Sequence, residues 1–278
     1  MFSDTIPIPS CGYFYEGRPE YLKVFYLTTE DELNMTAVNT FAKGDVLNNL
    51  LIKKVCEPNN LKIEDLLLYD KEYILLFLKD IAYGYVLDYQ SKDSTIYFDT
   101  QNVRISNIKQ YPNEDLFYVY KFRGDTLKIK HLTVKDEKKV NKKSKLSFYI
   151  EQIISINDET DRKFINKYFQ TLPILEAKKI KNYIDSISFG VDKKTFAIID
   201  GKKTNIDLMI DESLFGFTLE NLSKINKTIN DSIAFLLNEG NGFSIESILN
   251  MPVHVRKFHE DKLIEKIEKI NDSLKNKK

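Results

Sequence analysis

The sequence predicts an α+β fold in which a module of strand, helical bundle and β-hairpin occurs twice in tandem, followed by a helical C-terminal extension. Three observations predict it. First, Leu22-Lys23-Val24-Phe25-Tyr26-Leu27-Thr28-Thr29-Glu30-Asp31-Glu32 is echoed by Leu127-Lys128-Ile129-Lys130-His131-Leu132-Thr133-Val134-Lys135-Asp136-Glu137. Second, Leu78-Lys79-Asp80-Ile81-Ala82-Tyr83-Gly84 closes one unit as Ile184-Asp185-Ser186-Ile187-Ser188-Phe189-Gly190 closes the other, and the spans 22–84 and 127–190 differ by one residue. Third, short β-branched and aromatic runs precede stretches with apolar residues at helical spacing in both units. The implied organisation is an N-terminal module over 1–106, a second module over 107–217 and the extension over 218–278.

Pro7, Pro9, Gly12 and the aromatics Phe2, Tyr13, Phe14 and Tyr15 predict an extended N-terminal segment that needs cover from this chain or another. Residues 21–27 and 127–132 read as strands. Thr28 with Asp31, and Thr133 with Asp136, sit three apart where each strand ends. A hydroxyl there accepts free N–H groups of a first helical turn, and the acid complements the helix dipole, so each unit should turn from strand to helix at its Thr. Helices are predicted over 29–41, 45–55 and 63–83, then over 145–154, 159–170 and 173–187, where Pro173 suits a helix start. Gly84 and Gly190 are expected to stop the final helices in the left-handed conformation. Hairpins follow, pairing 95–99 with 102–105 and 195–199 with 205–208 about Asp200-Gly201. Beyond Thr218 come a helix over 219–238, a break at Gly240-Asn241-Gly242, a short helix capped by Ser244 and a last helix to about Leu274.

A chain of 278 residues can bury one large core or two small ones. Its 41 basic and 41 acidic residues cancel, so no global field draws it to nucleic acid or an acidic membrane. Cys11 and Cys56 supply neither a disulfide framework nor a metal set. No basic-then-apolar leader opens the chain, and its most apolar stretch, 73–78, is too short to cross a bilayer. These features predict a soluble intracellular protein.

No catalytic set stands out. His131 alternates with Leu132 in a predicted strand and is expected at the surface or rim; His254 and His259, five apart, fall on different helix faces. Gly201-Lys202-Lys203-Thr204 resembles the tail of a P-loop, but Phe196 stands where the earlier glycine is required. Glu64-Asp65 and Asp158-Glu159 lie near predicted helix starts, where the dipole accounts for them. The lysines of 135–145 lack an aromatic ladder and read as a solvated loop, not a nucleic-acid patch. The candidate contact residues are Tyr13, Phe14 and Tyr15 with the terminal stripe Leu263, Ile267 and Ile270, which docks either on this protein's own body or on a partner. No metal, cofactor, small-molecule substrate or membrane is expected.

The order of several short motifs resembles a known family. Pro9-Ser10-Cys11-Gly12-Tyr13-Phe14-Tyr15, followed by Leu27-Thr28-Thr29-Glu30-Asp31-Glu32, resembles the opening of the baseplate hub subunit of T-even-type contractile-tailed bacteriophages. The likeness continues at Ile63-Glu64-Asp65-Leu66-Leu67-Leu68-Tyr69-Asp70, Ala82-Tyr83-Gly84, Phe169-Gln170-Thr171-Leu172-Pro173 and Ser213-Leu214-Phe215, covering roughly 6–217. Ser247-Ile248-Leu249-Asn250-Met251-Pro252 and the helix after it resemble the short hub assembly catalyst of such phages, so the whole chain resembles a fusion of the two. The Leu-Thr-x-x-Asp-Glu entry into a helical bundle is also similar to tail assembly chaperones, which bind the tape-measure protein.

The resemblance implies a non-enzymatic hub assembly factor or hub subunit that binds other tail proteins, hub components and the tape measure among them. It would work in the host cytoplasm during assembly and in part in the virion. Relatives often carry Cys-x-x-Cys pairs in the hairpins; none stands here, so packing would hold these hairpins without zinc. The rival expectations are a permanent structural component of the baseplate, an enzyme whose residues are scattered in sequence, and nucleic-acid binding through 138–145.

Overall fold

The structure, a computed structural model, describes residues 2–41, 45–58, 61–91, 94–140 and 144–275. It is an α+β fold of several small antiparallel sheets with a long C-terminal helix. Strand β1 (Ser3–Pro7) pairs antiparallel with β2 (Tyr21–Phe25). In the loop between them Gly12 has φ +70°, and an added Cβ would lie 2.2 Å from the Pro19 carbonyl oxygen, so only glycine fits. After β2 the Thr28 N–H donates to Asp31 Oδ2 at 2.8 Å and the Asp31 N–H to Thr28 Oγ1 at 3.3 Å, which starts α1 (Thr29–Thr36). The chain continues through α2 (Val38–Phe41) and α3 (Val46–Lys54) to β3 (Val55–Glu57), which pairs with β2. A 3-10 turn over Ile63–Asp65 and the extended pair Leu66-Leu67 lead into α4 (Leu68–Tyr83).

Strands β4 (Val86–Ser91) and β5 (Ser94–Asp99) form a hairpin, and β6 (Ile105–Ser106) follows. Next come β7 (Tyr118–Phe122) and β8 (Asp125–Ile129), turning at Arg123-Gly124 where both residues have positive φ. The Thr133 N–H donates to Asp136 Oδ2 at 3.3 Å in a second capping box, starting α5 (Val134–Glu137). Helix α6 (Lys145–Gln152), β9 (Ile153–Ile156), α7 (Arg162–Thr171) and α8 (Ile174–Ile187) complete this part. Strand β10 (Gly190–Val191) pairs with β6, and β11 (Lys194–Ile199) turns at Asp200-Gly201 into β12 (Lys202–Asp207). Helices α9 (Leu222–Glu239), α10 (Ile245–Leu249) and α11 (Val253–Lys275) close the chain, α10 under a Ser244–Ser247 capping box.

Two sheets repeat one plan. Their orders are β1-β2-β3 and β7-β8-β9, each with the capped strand in the middle. Lys23 faces Glu57 while Val24 faces Val55; Lys128 faces Ser155 while Ile129 faces Ile153. The bulge thus falls at the positions that the sequence repeat aligns, Lys23 with Lys128 and Val24 with Ile129. The two hairpins then merge into one sheet of order β12-β11-β5-β4.

Several local expectations are corrected. The helix predicted over 29–41 breaks at Ala37, where the Thr36 hydroxyl bonds back to the carbonyls of Glu32 and Leu33. Those predicted over 45–55 and 145–154 stop early because Val55 and Ile153 enter third strands, where β-branched side chains and edge pairing outweigh the helical period. The first hairpin is 86–91 with 94–99, not 95–99 with 102–105: Asp99 caps a 3-10 turn over Thr100–Asn102 instead. Gly84 ends α4 with φ 80° and ψ 174°, outside the left-handed helical region. Gly190 lies within β10, where an added Cβ would sit 3.1 Å from Tyr69 Cβ, and α8 is capped by Ser188.

The core forms three apolar clusters. The largest gathers Leu22, Val24, Leu27, Leu51, Leu66, Ile74 and Leu75 with Phe189, Ala197 and Phe215 from the later chain. Leu127, Ile129, Ile153, Ile156, Ile165, Ile180 and Ile184 make a second around the β8 sheet. Ile229, Ile233, Leu236 and Ile248 make a third in the extension. At about 25 cal/mol per Å² of buried apolar surface, these clusters are the main stabilising contribution.

Candidate interaction surfaces

The parts are joined by two seams of one design. In each, the strand end at a capping Thr pairs antiparallel with the extended residue that precedes a long helix: Thr133 with Leu67, and Thr28 with Pro252. The Leu68 N–H donates to the Leu132 carbonyl and the Val134 N–H to the Leu66 carbonyl, both at 2.9 Å. Likewise the Val253 N–H donates to the Leu27 carbonyl at 2.9 Å and the Thr29 N–H to the Met251 carbonyl at 3.0 Å. The bonds use the residues flanking Leu67 and Pro252, so proline at the central position costs no hydrogen bond. These pairings also explain why the helix predicted over 63–83 is interrupted: Leu66 and Leu68 give their backbone groups to the seam.

An ion pair repeats with the backbone. Four residues after each Thr stands a glutamate, and three residues into each long helix a cation. Glu137 Oε2 meets Lys71 Nζ at 2.6 Å, and Glu32 Oε2 meets Arg256 at 2.6 Å. Arg256 also reaches Ser232 Oγ at 2.5 Å, and the Tyr83 hydroxyl donates to Glu32 Oε1 at 2.8 Å, so four helices share one buried polar network.

The capping acids hold cations as well. Lys54 pairs with Asp31 and donates to the Tyr26 carbonyl at 3.0 Å. Asp136 receives Lys130 at 2.6 Å and Lys139 at 3.0 Å. Burial opposes its ionisation, but these hydrogen bonds outweigh that and hold its carboxyl at about 2.

The sequence-predicted contact residues separate into two sets. Tyr15 is buried: its hydroxyl receives the Leu67 N–H at 3.0 Å and donates to Asp70 Oδ2 at 2.5 Å. The inward turn of the loop between β1 and β2 removes it from any outer surface. Burial raises the Asp70 carboxyl to about 6, against the hydrogen bonds from Ser10 and Tyr15. Phe14 packs edge-on against His131 at 5.4 Å, and Tyr13 packs on Tyr111 at 4.8 Å beneath the Arg18 guanidinium. Phe14 and Tyr15 therefore line the first seam, and Tyr13 lies beside Phe14.

His131, expected at the surface or rim, lies inside it. Phe14, Tyr69, Tyr118 and Phe189 surround its ring, and Tyr118 Oη lies 3.0 Å from its Nε2. Burial lowers its pKa to about 3, which keeps the ring neutral. Strand alternation suggested exposure because it could not show the N-terminal loop folding over that face.

The terminal helix divides in the other direction. Val253 and Arg256 are buried and Leu263 packs on the third cluster, so its first half docks on the body. Ile267 is half-buried, while Ile270 is 49% exposed and Ile264 and Leu274 are exposed as well. With 23 residues, α11 is about 34 Å long at 1.5 Å per residue, and its second half overhangs. Beside this apolar stripe lie Lys262, Glu265, Lys266 and Lys269.

Among the described residues no group of three His, Cys, Asp or Glu side chains is placed to hold a metal ion, and no helix is long and apolar enough to cross a membrane. In the lysine-rich stretch Lys138 reaches Asp45 at 3.4 Å and Lys139 holds Asp136; Lys142 and Lys143 lie outside the described residues. Compared with protein-family models, curated proteins and solved structures, the chain matches none.

Proposed function

We propose that this chain is a baseplate hub assembly factor or hub subunit of a contractile-tailed bacteriophage, acting by protein–protein binding. The ordered motifs over roughly 6–217 support the assignment. The observation that carries the binding role is the half-docked α11, which anchors through Arg256 and Leu263 and leaves Ile264, Ile270 and Leu274 in water. Each such side chain contributes ~1.5–3 kcal/mol on full burial, so the stripe favours a partner with an apolar helical face. On this reading the protein covers apolar helical segments of hub components or of the tape-measure protein before the tail closes around them.

We also propose that the two modules descend from a tandem duplication. The shared sheet order, the aligned bulge and the paired capping boxes support it.

The test is co-purification of the tagged full chain from infected cells, with bound tail proteins identified by mass spectrometry. Hub or tape-measure protein is expected, and its loss on Ile270→Lys. Recovery of no tail protein would contradict the assignment. Stoichiometric peptides in purified particles would select the permanent-component form of the proposal over the transient one.

A further inference from the structure

Among the described residues two seam elements receive a strand end, and a third segment of the same backbone conformation stands open. Leu66-Leu67 before α4 and Met251-Pro252 before α11 each receive one. Leu172-Pro173 before α8 is the third. Its backbone is already in the receiving conformation: Leu172 has φ −70° and ψ 138° against −63° and 130° for Leu66, and Pro173 has −56° and 145° against −63° and 143° for Leu67. The Ala177 N–H closes onto the Pro173 carbonyl as the Lys71 and Arg256 N–H groups close onto those of Leu67 and Pro252.

What differs is the cover. Leu67 and Val253 are buried, whereas Pro173 is exposed, Ile174 is 88% exposed and Leu175 is 73% exposed. Among the described residues no backbone group pairs with the Ile174 N–H or the Leu172 carbonyl, the two atoms whose counterparts hold the other seams.

The geometry points to Leu172-Pro173-Ile174 as a third docking site, for an extended strand end of another protein that carries Leu-Thr followed by a β-branched residue at a helix start. The occupant is specified by the two filled seams, where Leu132-Thr133-Val134 and Leu27-Thr28-Thr29 supply that pattern and all six residues are buried or nearly so. This is strand addition at a single bridge, with main-chain bonds setting direction and the flanking apolar side chains setting fit. A second folded copy has no such element to give, because both of its strand ends are already engaged within the chain.

The third site also differs in charge. Ala177 occupies the position of Lys71 and Arg256, so a glutamate four residues after the partner's Thr would meet no cation at that position. The fitting partner carries an apolar or small residue there. This inference stands apart from the overhanging α11 and from the phage assignment.

The test uses the full chain, a peptide of residues 125–138 and the same peptide with Glu137→Leu, followed by amide NMR shifts. Saturable shifts confined to 172–177 are expected, tighter for the Glu137→Leu peptide and weakened about tenfold or more by Ile174→Glu in the chain. Absence of saturation for both peptides at about 1 mM would overturn the proposal. So would shifts confined to 66–68 or 251–253, or binding that Ile174→Glu leaves unchanged. Self-association of the chain alone in sedimentation, removed by Ile174→Glu, would replace the proposed partner with a second copy and overturn the assignment of the occupant.

Discussion

The two filled seams share backbone bonds and ion-pair positions but differ in their contact with water. At the second seam Glu32 and Arg256 are each 4% exposed, and Ser232 and Tyr83 add hydrogen bonds to the pair. At the first seam Glu137 is 30% exposed beside a pocket of about 120 Å³ that Asp45 and Lys138 also line. Solvent can re-hydrate Glu137 when its partner is lost; it cannot reach Glu32. One architectural device therefore serves as a closed lock where α11 begins and as a wetter joint where α4 begins. The first seam, in exchange, is packed by aromatics and holds two titratable groups deep inside, Asp70 and His131.

This contrast can be broken at its strongest point first. Arg256→Ala leaves Glu32 buried without its hydrogen-bonded cation and is expected to cost about 3–5 kcal/mol in urea unfolding, releasing α11. A cost below about 1 kcal/mol would erase the distinction between the seams.

The next effect is a pH dependence particular to the first seam. Asp70, raised to about 6, keeps a proton in the folded state that the unfolded chain releases near pH 4. Its contribution is present at low pH and lost as pH rises through 6. His131, lowered to about 3, stays neutral in the fold while the unfolded chain takes up a proton below pH ~6.5. Its contribution is complete above that pH and lost as pH falls towards 3. The two slopes oppose each other at about 1.4 kcal/mol per pH unit. Asp70→Asn should therefore gain about 2–3 kcal/mol relative to wild type between pH 4 and 7, and His131→Gln should drift the opposite way. Parallel stability profiles for wild type and Asp70→Asn would contradict this.

Smaller still is Lys71→Ala, expected to cost about 1 kcal/mol because Glu137 can turn to water. Ile270→Lys on the overhang should leave unfolding within about 0.5 kcal/mol of wild type while removing partner binding.

Much of this was legible in the sequence where chemistry is local. The Thr28 and Thr133 caps, the Ser244 cap and the Asp200-Gly201 hairpin follow from short-range hydrogen bonding and positive φ, and the structure places them as expected. Strands β3 and β9 were hidden because a helix-compatible period runs into β-branched residues whose partners lie about thirty residues earlier. The seams were invisible for a related reason: a bridge of one residue pair leaves no pattern, and Leu67 and Pro173 share a backbone conformation without sharing a residue type. Of the proposed contact residues, Tyr15 is buried, Tyr13, Phe14, Leu263 and Ile267 are half-buried and Ile270 is exposed, because amphipathic spacing identifies an apolar face without saying how far along it the body extends.

Amide hydrogen exchange tests the seam architecture most directly. The N–H groups of Leu68, Val134, Thr29 and Val253 are predicted to exchange slowly, and that of Ile174 to exchange fast in the free chain. Protection of Ile174 equal to the other four, or rapid exchange at Leu68 and Val253, would contradict two closed pairings and a third left open.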